Sequence, residues 1–197
     1  MTKIDIDWMS VEDISIRAVA SECGYDITKN EKARDAATKP TVQAIISRLD
    51  ESWQQDYEHS LTDEDEGLYV VSLSDGLAID YGADISPVLY IGCGVTRNRL
   101  RSHLEEWLMP LSNELNDVRL TFHLAEDENY EDAESLLLQA FNDQHDILPL
   151  WNVNNGKRLT SKHSLSADSL KPILPKNKRY KWAMRPLASS EFSELAG

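Results

Sequence analysis

The chain has 197 residues, 41% of them apolar, five tryptophans and a formal net charge of −14. This is enough for one domain with an appendage or two small domains, each with a real core. No stretch nears the ~18 apolar residues of a membrane span; MTKIDIDWMS has neither the basic start nor the apolar run of a secretory signal; and Cys23 and Cys93 provide neither a disulfide framework nor zinc spacing, so a reduced, cytoplasmic setting is expected.

The charge is uneven. Residues 1–66 hold 7 Lys and Arg against 16 Asp and Glu, residues 67–155 hold 4 against 15, and residues 156–197 hold 9 against 3. The acidic bulk predicts weak non-specific affinity for nucleic acid, and the basic tail leaves room for a local binding face.

Residues 1–66 read as a helical extension. Ser10 with Asp13 resembles a capping box and Gly24 suits a helix end, with Ile16, Val19, Ala20 and Cys23 on one face between them. A second helix is expected from Pro40 to about Ser60, with Val42, Ile45, Ile46, Leu49 and Trp53 as its apolar stripe. TDEDE, 62–66, reads as a solvated acidic loop. From Gly67 the period changes. GLYVVSL (67–73) and PVLYIGCG (87–94) read as paired strands, joined by a long connection with turn chemistry at Asp75-Gly76 and Tyr81-Gly82. A helix from Arg97 to Met109 follows, with Thr96 as N-cap and Pro110 as its stop. VRLTFHLA (118–125) is a third strand, 130–142 a helix, and 148–157 a turn-rich return. KRYKWAMR (178–185) alternates aromatic and basic residues, as a half-buried strand with a basic outer face would. The expected class is α+β, a small antiparallel three-stranded sheet flanked by helices.

Several side chains stand out chemically. Glu134 shares the apolar stripe of its helix with Leu137, Leu138 and Phe141. A carboxylate facing a core costs several kcal/mol unless it is paired or binds a metal; the plain alternative is a stripe-edge glutamate that reaches solvent or an arginine. Arg99 and His103 are i, i+4 neighbours, with Arg97 and Arg101 on the other side of the stripe Leu100, Leu104 and Leu108. An anion at this helix start is favoured by free N–H groups and by the arginines; arginines pairing with Glu105 or Glu106 would be the plain alternative. Tyr69 and Tyr90 lie on paired strands, each beside a glycine, and read equally as core aromatics. His123 alternates within its strand and reads as structural.

Gly67-Leu68-Tyr69, then Tyr90-Ile91-Gly92, Arg99 and His103, Glu134, and Asn152 in Leu150-Trp151-Asn152 stand in an order that resembles the GIY-YIG nuclease superfamily, over roughly residues 67–155. The first tripeptide is GLY. The gap between the tripeptides is long, similar to that of the restriction-enzyme members with extended hairpins. The spacing from Tyr90 to the arginine is one residue short, so Arg101 competes with Arg99, and the i, i+4 relation to His103 favours Arg99. Cys93 stands where the family has a basic residue.

The resemblance implies a DNA endonuclease that hydrolyses phosphodiesters with one divalent cation, Mg²⁺ or Mn²⁺, on Glu134. It implies catalytic roles for Tyr69, Tyr90, Arg99, His103, Glu134 and Asn152, with Tyr69 activating the attacking water. A phenol is ionised only ~0.1% at pH 7, so a nearby cation must lower its pKa. Arg97, Arg101, Lys178, Arg179 and Lys181 are the candidate DNA contacts. The module would span 67–155, with 156–197 packing on or extending it. The acidic residues 1–66 suit a protein partner or a second copy better than DNA, and no membrane partner is expected. A catalytically silent nucleic-acid-binding or adaptor module, or an RNA nuclease, are the competing readings.

Overall fold

The computed structural model describes residues 2–115, 117–154, 156, 163–175 and 179–185. The chain opens with β1 (Thr2–Ile4), β2 (Met9–Ser15), α1 (Ile16–Glu22) and α2 (Glu31–Tyr57). Then come β3 (Glu66–Leu73), β4 (Leu77–Asp80), β5 (Ile85–Ser86) and β6 (Val88–Val95). After β6, α3 (Thr96–His103) runs through a π-helical turn (Leu104–Leu108) into α4 (Met109–Glu114), followed by β7 (Arg119–Glu126), α5 (Tyr130–His145), β8 (His163–Leu165) and β9 (Trp182–Met184).

The fold is α+β. Its main sheet is antiparallel and has four strands, in the order β2-β7-β3-β6. The apolar runs at 67–73, 87–94 and 118–125 are β3, β6 and β7. The sheet has four strands where three were expected, and the additional one, β2, comes from the segment expected to be helical. Asp13 explains the misreading. It sits at φ +61° where the pairing with β7 shifts register between Val11 and Ile14. The bulge interrupts the alternation and leaves a false capping box at Ser10. The real cap of α1 is Ser15, whose Oγ accepts from the Ala18 N–H at 2.9 Å.

Two other helix ends differ from expectation. α2 starts nine residues before Pro40, capped by Asn30, whose side chain accepts from the Ala33 N–H at 3.0 Å. Pro40 lies inside it, at the cost of one backbone hydrogen bond. α3 begins at Thr96, which is buried, with Val95 as the capping position. Pro110 does not stop this helix. The π turn before it already breaks the regular i−4 ladder, so a residue without an N–H is accommodated at the start of α4.

The sheet is covered on both faces. Tyr69, Val71, Leu120, Phe122 and Leu124 pack beneath α1, α2 and the α3–α4 rod. Leu68, Val70, Ile91 and Ala125 pack beneath α5, joined by Ile4, Ile6 and Ile173. Two small sheets complete the fold: β1 parallel to β8, and β5-β4-β9, in which β9 runs parallel to β4. The expected strand near 178–185 is thus β9, but Trp182 points outward, 72% exposed. Among the described residues no helix is long and apolar enough to cross a membrane.

Candidate active site

The site is built where β3 and β6 run side by side. Tyr69 pairs across the ladder with Gly92, and Tyr90 with Val71. A side chain at 92 would collide with both phenols: a Cβ there would meet Tyr90 Cε1 at 2.5 Å and Tyr69 Cζ and Oη at 2.6 Å. Only the bare Gly92 lets the two rings lie over the strand, where they stack with centroids 5.8 Å apart and planes 18° apart. Gly67 meets a similar demand from β7, since a Cβ would approach the Ala125 carbonyl oxygen to 2.4 Å. The glycines of both tripeptides are therefore steric requirements of this sheet.

His103, in the last turn of α3, reaches the same spot. Its Nε2 lies 3.0 Å from the Tyr69 hydroxyl, and its ring centroid is 4.4 Å from that of Tyr90. Burial, then the charge of Arg99, pushes its pKa down to about 4. Arg99, one turn earlier and on the exposed side, sets its positive charge beside both phenols. Burial raises both phenol pKa values, that of Tyr69 strongly, and Arg99 opposes the rise. Tyr69 has no exposed surface, whereas Tyr90 keeps 9%.

Glu134 approaches from α5, around the edge strand β6. Its carboxylate is half-buried and lies against Cys93. Burial raises its pKa, and Cys93 and Arg99 pull it back. Its charge in turn raises the pKa of Tyr90. Cys93 is held well above the usual thiol range by burial and by Glu134, so it remains a neutral thiol. Tyr69, Tyr90, Arg99, His103 and Glu134, drawn from β3, β6, α3 and α5, thus share one electrostatic neighbourhood.

Asn152 stands behind this group. Its amide accepts from the Ile91 N–H at 3.0 Å and donates to the Ile91 carbonyl at 2.7 Å. It acts as a one-residue strand on the free edge of β6, fixing the backbone between Tyr90 and Gly92.

Two residues to which the sequence assigned no role belong here. Trp107 Nε1 donates to His103 Nδ1 at 3.0 Å, and Trp151 stacks on Trp107 with centroids 4.2 Å apart and planes 18° apart. Trp107 stands i+4 from His103, the same spacing that singled out Arg99, and could have been found that way.

The other candidates lie elsewhere. Arg97 donates to the Leu61 carbonyl at 2.9 Å and sits 3.7 Å from Asp63, tying down the acidic loop. Arg101 donates to Asn98, on its own helix, at 3.4 Å. Lys181 pairs with Asp75, and Arg179 lines a cleft with Glu12, Asp13 and Asp75. Both are at the Leu73 end of β3, away from the Glu66 end that adjoins Val95 and the start of α3. Lys178 lies outside the described residues.

The donor set bears on the implied metal. Among the described residues no group of three or more His, Cys, Asp and Glu is gathered to hold a metal ion. A lone desolvated carboxylate still fits Mg²⁺ or Mn²⁺ when most of the shell is water and substrate phosphate. Half-buried Glu134, partly offset by Arg99, is such a group.

No family model matches the chain, and no curated protein or solved structure matches it significantly.

Proposed function

We propose that the chain is a GIY-YIG-like phosphodiesterase that cuts DNA with the help of one divalent cation. The observation that carries this reading is the convergence of two phenols, a guanidinium, an imidazole and a carboxylate around the paired strands β3 and β6. Hydrolysis of a phosphodiester forms a bond from water oxygen to phosphorus and breaks the bond to the leaving oxygen. The proton of the water must be taken up, and the leaving oxygen must receive one. Negative charge grows meanwhile on the non-bridging oxygens.

Each group has a part. Arg99 offers a planar fork to the non-bridging oxygens and opposes the rise that burial gives the pKa of both phenols. One phenol of the pair first gives its proton to solvent; as a phenolate the pair then takes the proton of the attacking water at Tyr90, the partly exposed member, and the leaving oxygen is protonated from solvent. His103 is neutral near pH 7 and orients Tyr69. Glu134 would hold the cation, which supplies charge neutralisation at the phosphate. Asn152 keeps the strand carrying Tyr90 in register.

The test is incubation of the chain with plasmid DNA and with structured RNA, with Mg²⁺ and with EDTA, for the parent and Glu134→Ala. The expected result is Mg²⁺-dependent DNA cleavage by the parent and none by the variant, with unchanged melting. Cleavage of RNA alone would reassign the substrate. A variant as fast as the parent would remove Glu134 from the chemistry, and an inert parent would favour a binding or adaptor module.

A further inference from the structure

The hydrogen bonds around His103 have a direction set at their buried end. An indole N–H donates and never accepts. Trp107 Nε1 points at His103 Nδ1 from 3.0 Å, so Nδ1 must carry the lone pair. A neutral imidazole then carries its proton on Nε2, the atom 3.0 Å from the Tyr69 oxygen. We propose that Trp107 is a positioning residue that holds His103 as its Nε2–H tautomer, so that His103 donates a hydrogen bond to Tyr69 and does not accept the phenol proton.

Three observations support this. His103 is only 9% exposed and is neutral near pH 7, so one tautomer can be selected without a competing charged form. Trp107 is itself fixed, stacked on Trp151 next to Asn152, so the segment that locks β6 also locks the indole. The π turn that starts immediately after His103 carries Trp107 against the His103 and Tyr90 rings.

The consequence for Tyr69 is specific. Its oxygen faces two groups that can only donate, the His103 Nε2–H and the Arg99 guanidinium. Its own proton must turn elsewhere, and the hydroxyl of Tyr90 is beside it. Donors aimed this way offset part of the burial that disfavours negative charge on the phenol oxygens, and they exclude His103 as the base that strips Tyr69.

The catalytic half of this inference rests on the nuclease reading; the tautomer does not. Long-range ¹H–¹⁵N spectra of the full chain, labelled at histidine and assigned with His103→Gln, read the tautomer directly. The expected spectrum near neutral pH has Nδ1 unprotonated and Nε2 protonated. Trp107→Phe keeps an aromatic ring and removes the N–H, so its His103 should populate both tautomers. Its DNA cleavage should fall on the order of 10- to 100-fold, the loss met when a partner that orients an active group is removed. His103→Gln, which retains a side-chain N–H donor, should cleave faster than His103→Ala. A parent spectrum with Nδ1 protonated overturns the proposal, as does an unchanged tautomer in Trp107→Phe. If that variant fails to fold, the parent spectrum alone decides. An inert parent with the expected tautomer would sink the nuclease reading and leave the tautomer assignment standing.

Discussion

Replacing Gly92 with alanine adds one methyl group directly beneath the two phenols. The added carbon would lie 2.5 Å from Tyr90 Cε1 and 2.6 Å from Tyr69 Cζ and Oη, against 3.4 Å or more for ordinary contact. The rings or the strand must therefore yield by about 0.9 Å at the closest point. Tyr69 is fully enclosed, so the shift spreads into His103 and Trp107. Overpacking of this kind costs about 1–3 kcal/mol. For a chain of this size each kcal/mol lowers Tm by about 2–4 °C. The effect on chemistry is larger, since a misplacement of about 1 Å can cost about 100-fold in rate. Initial rates of plasmid cleavage at saturating Mg²⁺, with thermal melts alongside, measure both. In a Tyr90→Ala background one of the two collisions is gone, so the stability cost of Gly92→Ala should shrink. Parental rate and Tm in Gly92→Ala would refute the steric account of this glycine, as would an undiminished cost in the Tyr90→Ala background.

Other predictions follow from the same geometry. His103 has its folded pKa depressed to about 4, against about 6.5 unfolded, so its contribution is full above pH 6.5 and is lost as pH falls towards 4. Between pH 7.5 and 5 this removes about 2 kcal/mol, and urea melts of His103→Gln should lack that component. Asn152→Ala strands a buried N–H and C=O of Ile91 and should cost about 2–4 kcal/mol in the same melts. Arg101→Ala should weaken DNA binding and reduce the slope of log affinity against log salt by about 1, while Arg97→Ala, whose guanidinium is engaged with Leu61 and Asp63, should leave the slope unchanged.

The legible parts of this protein are those whose information is local. β3, β6 and β7 are dense in β-branched and aromatic residues, and their ends lie within a few residues of the expected ones. The Arg99–His103 pair is visible because helical spacing is fixed by geometry. What stayed hidden depends on distant partners. Ser10 pairs with His123, 113 residues away, and nothing near Ser10 announces a strand. Arg97 and Lys181 look like free positive charge until Asp63 and Asp75 are seen beside them. Trp182 follows the alternation of a half-buried strand, yet pairing with β4 leaves it facing solvent. Tyr69 and Tyr90 read well as core aromatics because they are enclosed, by the same packing that stacks their rings.

The seating of β2 against β7 limits how far this protein can be trimmed. A fragment begun at Gly67, the first residue of the motif, would strip one side of β7 of its hydrogen-bonding neighbour. It would also uncover Phe122 and Leu124, which share one core cluster with residues of α1 and α2. A naked ladder beside a greasy surface invites self-association, so such a fragment should precipitate before its chemistry could be assayed. The smallest piece worth expressing starts upstream of Met9.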